Sequence, residues 1–166
     1  YKPVADNDRD AICAIIAYLK RVYTVIGTVI LLGGLAVLPF LDSLIQGGYP
    51  TGINIYVLYL MYLGNTVVSY LMFAYKSALF TAMQRADVVD NIYSLTSCLM
   101  KVTQLVLLLL FRNYYLYTVI LPLGTVLNNL LLHFFSKKYF PEIQPKGKLP
   151  GSVREVLSKQ VQAIFI

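Results

Sequence analysis

Apolar residues form four long runs along the chain, separated by short polar stretches. The runs cover residues 22–41, 53–80, 90–111 and 114–135. Each has the length that a helix needs to cross a bilayer, about 20 mostly apolar residues. The pattern therefore predicts an all-α fold, a polytopic membrane helix bundle with four transmembrane helices in this segment.

Turn-forming residues lie between the runs. Residues 46–50 contain two glycines and a proline and predict a turn after the first run, and residues 87–91 predict one after the second. Only Arg112 and Asn113 separate the third run from the fourth, so we expect these two helices to form a tight hairpin. Pro122 falls inside the fourth run, where membrane helices tolerate proline.

The composition and the basic residues indicate an orientation in the membrane. The chain is 58% hydrophobic and 13% charged, whereas a soluble domain has about 25% charged residues. Twelve Lys and Arg residues flank the runs on one side, and Arg112 alone lies on the other. The positive-inside rule assigns the richer side to the cytoplasm, so both ends of the segment are expected there. The net charge of +6 then indicates contact with membrane lipids and not with nucleic acid.

Amphipathic segments flank the four runs. Residues 6–8 are helix-capping types and predict a helix that passes through Lys20 and Arg21 into the first span without a break. Residues 152–166 have apolar positions at helical spacing and predict a second amphipathic helix that leads to a further span. We therefore expect an internal piece of a longer protein with three parts: a cytoplasmic loop and helix (1–21), a transmembrane part (22–135), and a cytoplasmic linker and helix (136–166).

One charge lies deep inside an apolar run. Lys101 is 11 residues from Arg112, or roughly 16 Å along a helix, in a hydrocarbon layer about 30 Å thick. A cation at that depth is expected to face a bundle interior or a watery cavity. Polar neighbours three and four residues apart share its helix face; this stripe consists of Asp90, Ser94, Ser97, Lys101 and Gln104.

Polar stripes also follow the second and fourth runs. They consist of Tyr62, Asn65, Ser69 and Lys76 in the second run and of Thr118, Thr125 and Asn129 in the fourth. Three striped helices predict a shared wet interior. The candidate binding residues are Lys101, Gln104, Ser97, Asn65, Lys76 and Asn129.

A simpler interpretation of these stripes stays open. Hydroxyl and amide side chains also join packed membrane helices without any ligand. Lys76 lies near the inner boundary, where an extended side chain that reaches the lipid headgroups explains it as well. His133 is more typical of an interfacial residue than of a proton relay.

The sequence lacks the patterns of an enzyme or a metal site. It has no cluster of His, Asp and Glu and no Gly-rich phosphate loop, and Cys13 and Cys98 have no spacing that indicates a metal or a disulfide. We expect no catalytic residues, no metal and no cofactor. Inward cations and hydroxyls without an acid–base pair favour binding and moving an anion.

Four short motifs resemble bacterial polysaccharide flippases, the exporters of O-antigen and capsule repeat units in the multidrug/oligosaccharidyl-lipid/polysaccharide superfamily. Residues 1–8 resemble the loop after that family's second helix. Residues 65–70 and 75–80 resemble its fourth helix and the exit from it, and residues 137–141 resemble the chain after its sixth helix. Residues 83–87 depart from the Ala-Asp-Gln run of the family.

The resemblance implies a multi-pass protein of the bacterial inner membrane that flips a polyprenyl-pyrophosphate-linked oligosaccharide by alternating access for surface polysaccharide such as lipopolysaccharide. In that setting we expect Lys101 to contact the pyrophosphate and Lys76 to recruit it at the inner face. Asn65, Gln104 and Asn129 are expected to contact sugar or to line water. The remaining helices of the full-length protein complete the cavity.

Three alternatives stay open from the sequence. A multidrug or other small-molecule exporter of the same superfamily is expected to use inward acidic residues; Asp90 lies beside a loop, and the spans contain no other. A membrane polymerase, ligase or glycosyltransferase of polysaccharide assembly needs a large outer loop or a catalytic carboxylate, and both outer loops are short. In a structural subunit the polar stripes only pack helices.

Overall fold

The fold is helical throughout the part of the chain that can be described. A computed structural model describes residues 8–45 and 53–147. Within these ranges 86% of the residues are helical and none lies in a β-strand, which confirms the predicted all-α class. The expectations for residues 1–7, 46–50 and 152–166 fall outside the described residues.

The first span is part of a longer helix, α1, which covers Arg9–Val37. Asp8 is its N-cap, and the carboxylate accepts a hydrogen bond from the Ala11 backbone N–H at 3.0 Å. This bond satisfies one of the free donors at the helix start. As expected, α1 passes through Lys20 and Arg21 without a break.

The two prolines in the apolar runs have different effects on the helices. Pro39 lies in a 3-10 turn, Leu38–Phe40, that ends α1 and leads to the short helix α2, Leu41–Leu44. Proline has no N–H to continue the α-helical ladder. Pro122 lies inside the last long helix, which continues past it.

The second apolar run does not form a straight helix. It divides into α3, Ile55–Leu71, and α4, Ala74–Ala82, whose axes are bent by 44°. The break falls at Met72 and Phe73, where the sequence has neither glycine nor proline. The continuous helix predicted for residues 53–80 is therefore wrong at this point.

The predicted hairpin between the last two long helices is confirmed. Helix α5 covers Ala86–Phe111 and helix α6 covers Tyr114–Tyr139. Arg112 ends α5 in the left-handed conformation, with φ 48°. The Asn113 side chain then accepts a hydrogen bond from the Tyr115 N–H at 2.9 Å and caps α6.

The turn predicted at residues 87–91 lies earlier in the chain. Those residues are helical, and the chain reverses at Gln84, whose φ is 57°. Asp87 lies in the first turn of α5, where a carboxylate interacts favourably with the helix dipole. It also accepts a hydrogen bond from Arg85 Nε at 3.0 Å. The acidic residue that indicated a turn thus stabilises a helix start.

The helices have the dimensions of membrane spans. Helices α5 and α6 and the segment Arg9–Leu44 are each long and apolar enough to cross a bilayer. The bent pair α3 and α4 makes a fourth span if it is counted as one. On α5, Leu95 and Leu109 are 72% and 70% exposed, which fits a lipid-facing surface. These long apolar helices are compatible with a multi-pass membrane protein.

The long helices pack in the order α1, α3, α6, α5. An added Cβ at Gly27 would lie 2.8 Å from Leu71 Cδ2, so this small residue allows α1 and α3 to approach closely. Helix α4 joins the others at one end through two buried clusters. The first contains Ile12, Ile16, Tyr75 and Leu79, and the second contains Phe80, Val88, Ile92 and Leu132.

Candidate functional site

A cavity of about 540 Å³ lies among α3, α4, α5 and α6, with Tyr23 of α1 at its wall. It is open to the surroundings of the bundle. The structure brings five of the six predicted site residues to this cavity: Lys101, Gln104, Ser97, Asn65 and Asn129. Their role in binding stays a prediction.

Lys101 is held at the cavity by a neighbouring amide. It lies ten residues before the end of α5 at Phe111, or about 15 Å along the axis. Lys101 Nζ donates to Gln104 Oε1 at 3.4 Å, and Gln104 Nε2 donates to the Tyr117 carbonyl of α6 at 3.1 Å. Gln104 is 1% exposed, whereas Lys101 is exposed. The amide therefore fixes the ammonium and leaves its other N–H groups free to donate.

The stripe on α6 contributes only in part. Thr125 Oγ1 donates to Asn65 Oδ1 at 2.6 Å and connects α6 to α3 at the cavity wall. Thr118 is fully buried, and its hydroxyl donates to the Tyr114 carbonyl of its own helix. Thr118 does not line the cavity.

Asn129 is engaged in holding the helix break. Its Oδ1 accepts a hydrogen bond from the Phe73 backbone N–H at 3.1 Å, and its Nδ2 donates to the Thr125 carbonyl at 2.8 Å. A backbone N–H that a break releases inside a membrane needs such an acceptor, because no water is available. Asn129 thus lines the cavity with both ends of its amide already bonded within the protein.

Replacing Asn129 by leucine is expected to destabilise the protein by about 1–3 kcal/mol, since the Phe73 N–H then stays buried without an acceptor. Thermal unfolding of the purified protein in detergent measures this. The matched control is Asn128→Leu on the same helix, because Asn128 Oδ1 has no partner among the described residues. Equal melting temperatures for Asn129→Leu and the wild-type protein would contradict the assigned role.

Lys76 lies outside the cavity, in a second polar cluster. It is 7% exposed, and its Nζ lies 2.9 Å from His133 Nδ1 and 5.3 Å from the centre of the Phe73 ring. The ring of His133 is 4.4 Å from that of Phe73. The protein encloses this ammonium, so its side chain does not extend to the surface.

The helix break explains the position of Lys76. On a straight helix it would continue the stripe of Asn65 and Ser69, which do line the cavity. The 44° bend at Met72 and Phe73 redirects α4, and Lys76 contacts His133 of α6 instead. The stripe predicted for the second run is therefore interrupted before Lys76.

The cavity lining that sequence reasoning missed includes Thr96 and Asn128. Each lies next to a predicted residue in the sequence, Ser97 or Asn129. Each is a polar residue within an apolar run, which was the available signal. Both positions, however, lie about 100° around the helix axis from the predicted stripes. Among the described lining residues the carboxylate is Asp90, 11 residues from Lys101, or about 16 Å along α5.

The chain matches no protein-family model, no curated protein and no solved structure. The side chains of the cavity therefore carry the functional interpretation. They supply one ammonium at mid-helix, several amides and hydroxyls, and a carboxylate near the start of α5. Such a set binds a polar anion better than it performs acid–base chemistry.

Proposed function

We propose that this chain is part of a transporter that flips a polyprenyl-pyrophosphate-linked oligosaccharide across the bacterial cytoplasmic membrane by alternating access. The observation that carries the proposal is the position of Lys101, an ammonium halfway along an apolar helix and in the wall of a polar cavity. Charged residues at such depth mark substrate or ion pathways.

The chemistry of the cavity suits each part of that cargo. A pyrophosphate loses its hydration on entering the membrane and needs a cationic hydrogen-bond donor, which Lys101 supplies. Sugar hydroxyls need amide and hydroxyl partners, which Asn65 and Ser69 offer at the cavity wall. The prenyl chain is apolar and stays in the lipid between helices.

The charge distribution favours an anionic cargo over a cationic drug. Lys101 lies at mid-helix, whereas Asp90 is the fifth residue of α5. At about 16 Å the two are too far apart to pair. A cation exporter would need its carboxylate where this chain has Lys101.

The proposal includes an orientation of the segment in the membrane, which is argued from the basic residues. Twelve Lys and Arg residues on one side support an orientation with both ends of the segment in the cytoplasm. Under the proposal, the lipid-linked cargo is assembled in the cytoplasmic leaflet and moves from there to Lys101. Lys76 is enclosed beside His133, so the proposal does not assign it the first capture of cargo.

A liposome assay tests the function directly. The full-length protein is reconstituted with a fluorescent polyprenyl-pyrophosphate-linked N-acetylglucosamine in both leaflets, and dithionite is added outside. We expect the protected fluorescence of the inner leaflet to decay faster with the protein than in protein-free liposomes.

A phosphatidylcholine with the same fluorophore is the matched control, because it lacks the pyrophosphate and the sugar. Its fluorescence should stay protected. Equal decay of the glycolipid with and without protein would refute the flippase proposal. Decay of both lipids would indicate unselective scrambling and would also refute it.

A further inference from the structure

Two buried polar atoms of the cavity have no hydrogen-bond partner among the described residues. They are Thr96 Oγ1 on α5 and Asn128 Oδ1 on α6. Thr96 is 5% exposed, and both residues line the cavity that contains Lys101. Unpaired buried polar atoms are rare in native proteins, and each calls for an explanation such as a ligand or an ordered water.

The other threonines show that the free hydroxyl of Thr96 is not a general property of these helices. Elsewhere in the described helices, most threonine hydroxyls donate to the carbonyl four residues earlier. This holds for Thr66, Thr81, Thr103 and Thr118. The Thr125 hydroxyl donates to Asn65 Oδ1. Thr96 does not make this bond, so its hydroxyl is available inside the cavity.

The chemistry of the two groups limits what can satisfy them. A hydroxyl and a primary amide each donate and accept hydrogen bonds. A matching ligand therefore carries closely spaced groups that do both, as the hydroxyl and acetamido groups of a sugar ring do. An isoprenoid chain offers neither, and a phosphate offers only acceptors.

We propose that Thr96 and Asn128 form a subsite for the sugar ring that is attached directly to the pyrophosphate. The inference depends on the proposed function, in which Lys101 holds the pyrophosphate beside this sugar subsite. Lys101 is five residues from Thr96 on α5, or about 7.5 Å along the axis, a separation that one sugar ring and its phosphate linkage bridge. A cavity of about 540 Å³ is of the size that polar ligand groups occupy.

Two probes separate the sugar subsite from the pyrophosphate site. Binding of polyprenyl pyrophosphate and of polyprenyl-pyrophosphoryl N-acetylglucosamine is measured with the full-length protein in detergent. We expect the wild-type protein to bind the sugar conjugate more tightly. Thr96→Val and Asn128→Leu should each weaken binding of the conjugate about three- to tenfold more than binding of the bare pyrophosphate.

Thr103→Val is the matched control on the same helix. The Thr103 hydroxyl donates to the Leu99 carbonyl, and Thr103 does not line the cavity. This variant should bind both probes as the wild-type protein does. Without ligand, Thr96→Val and Asn128→Leu should melt at or above the wild-type temperature, because each removes an unpaired buried group.

The outcomes distinguish failure of the sugar subsite from failure of the proposed function. If the wild-type protein does not prefer the conjugate, or if Thr96→Val and Asn128→Leu weaken both probes equally, the sugar subsite is refuted. Unchanged preference in both variants also refutes it and assigns the free atoms to water. If the wild-type protein binds neither probe, the proposed function itself fails.

Discussion

Replacing Lys101 by alanine is expected to slow transport of the pyrophosphate-linked cargo about 10- to 100-fold. The ammonium lines the cavity and makes one long hydrogen bond, to Gln104 Oε1 at 3.4 Å, so a pyrophosphate can engage its remaining donors. A hydrogen bond to a charged group contributes about 1.5–3 kcal/mol, which corresponds to that range of rates. The rate is read from the decay of protected glycolipid fluorescence in liposomes.

The conservative variant tests whether charge is responsible. Lys101→Arg keeps the cation but changes its shape and hydrogen-bond geometry, so we expect partial transport. Lys138→Ala removes an exposed lysine in the last turn of α6, outside the cavity, and should transport at the wild-type rate. Surface glycan in cells gives a second readout at matched protein levels.

Two results would contradict the anion role of Lys101. Wild-type transport by Lys101→Ala would show that the charge is not used. A loss in Lys101→Arg as complete as in Lys101→Ala, at normal protein level, would show that the side chain acts by its shape and not by its charge. Lys101 is exposed, and its ammonium makes one long hydrogen bond, to Gln104 Oε1, so these variants should fold.

The residues of the site that periodicity predicted each lie within an uninterrupted helix. On α5 the three- and four-residue spacing places Ser97, Lys101 and Gln104 on one face, and all three line the cavity. The helix ends at Asp8 and Asn113 were also readable, because side-chain caps act within two or three residues of the cap. Helix periodicity and capping depend on residues close in sequence, so they could be predicted from the sequence alone.

The residues around the break between α3 and α4 gave no sequence signal for it. The residues Leu71, Met72 and Phe73 are ordinary in a helix, and the N–H of Phe73 finds its acceptor in Asn129, 56 residues later. Only the folded bundle brings the two together. The error at the break then displaced Lys76 from the predicted stripe to His133.

The residues missed in the cavity have a related cause. Thr96 and Asn128 lie beside the predicted stripes and not on them. A cavity among four helices exposes an arc of each helix wider than a single row of side chains. Sequence periodicity locates the centre of that arc, and the packing of the neighbours decides how far it extends.

Replacing His133 by leucine is expected to destabilise the protein by about 2–3 kcal/mol. Lys76 Nζ lies 2.9 Å from His133 Nδ1 and is enclosed by protein. An N···N contact of this length needs one donor and one acceptor. The Lys76 ammonium therefore donates to the neutral imidazole, and the pair carries a single positive charge. Without the imidazole, the ammonium keeps only the face of Phe73, 5.3 Å away, and loses a hydrogen bond of the stronger, charged kind.

A double variant separates loss of the pair from loss of packing. Lys76→Met alone and His133→Leu alone each leave one polar group unpaired, whereas the two together leave an apolar contact of similar volume. Replacement of both partners by apolar groups is close to neutral, so the double variant should melt near the wild-type temperature. His133→Gln keeps an acceptor and should recover part of the loss, and Phe134→Leu, at an exposed neighbouring position, should have little effect. If the double variant is less stable than His133→Leu, the pair does not couple α4 to α6, and the enclosed ammonium needs another explanation.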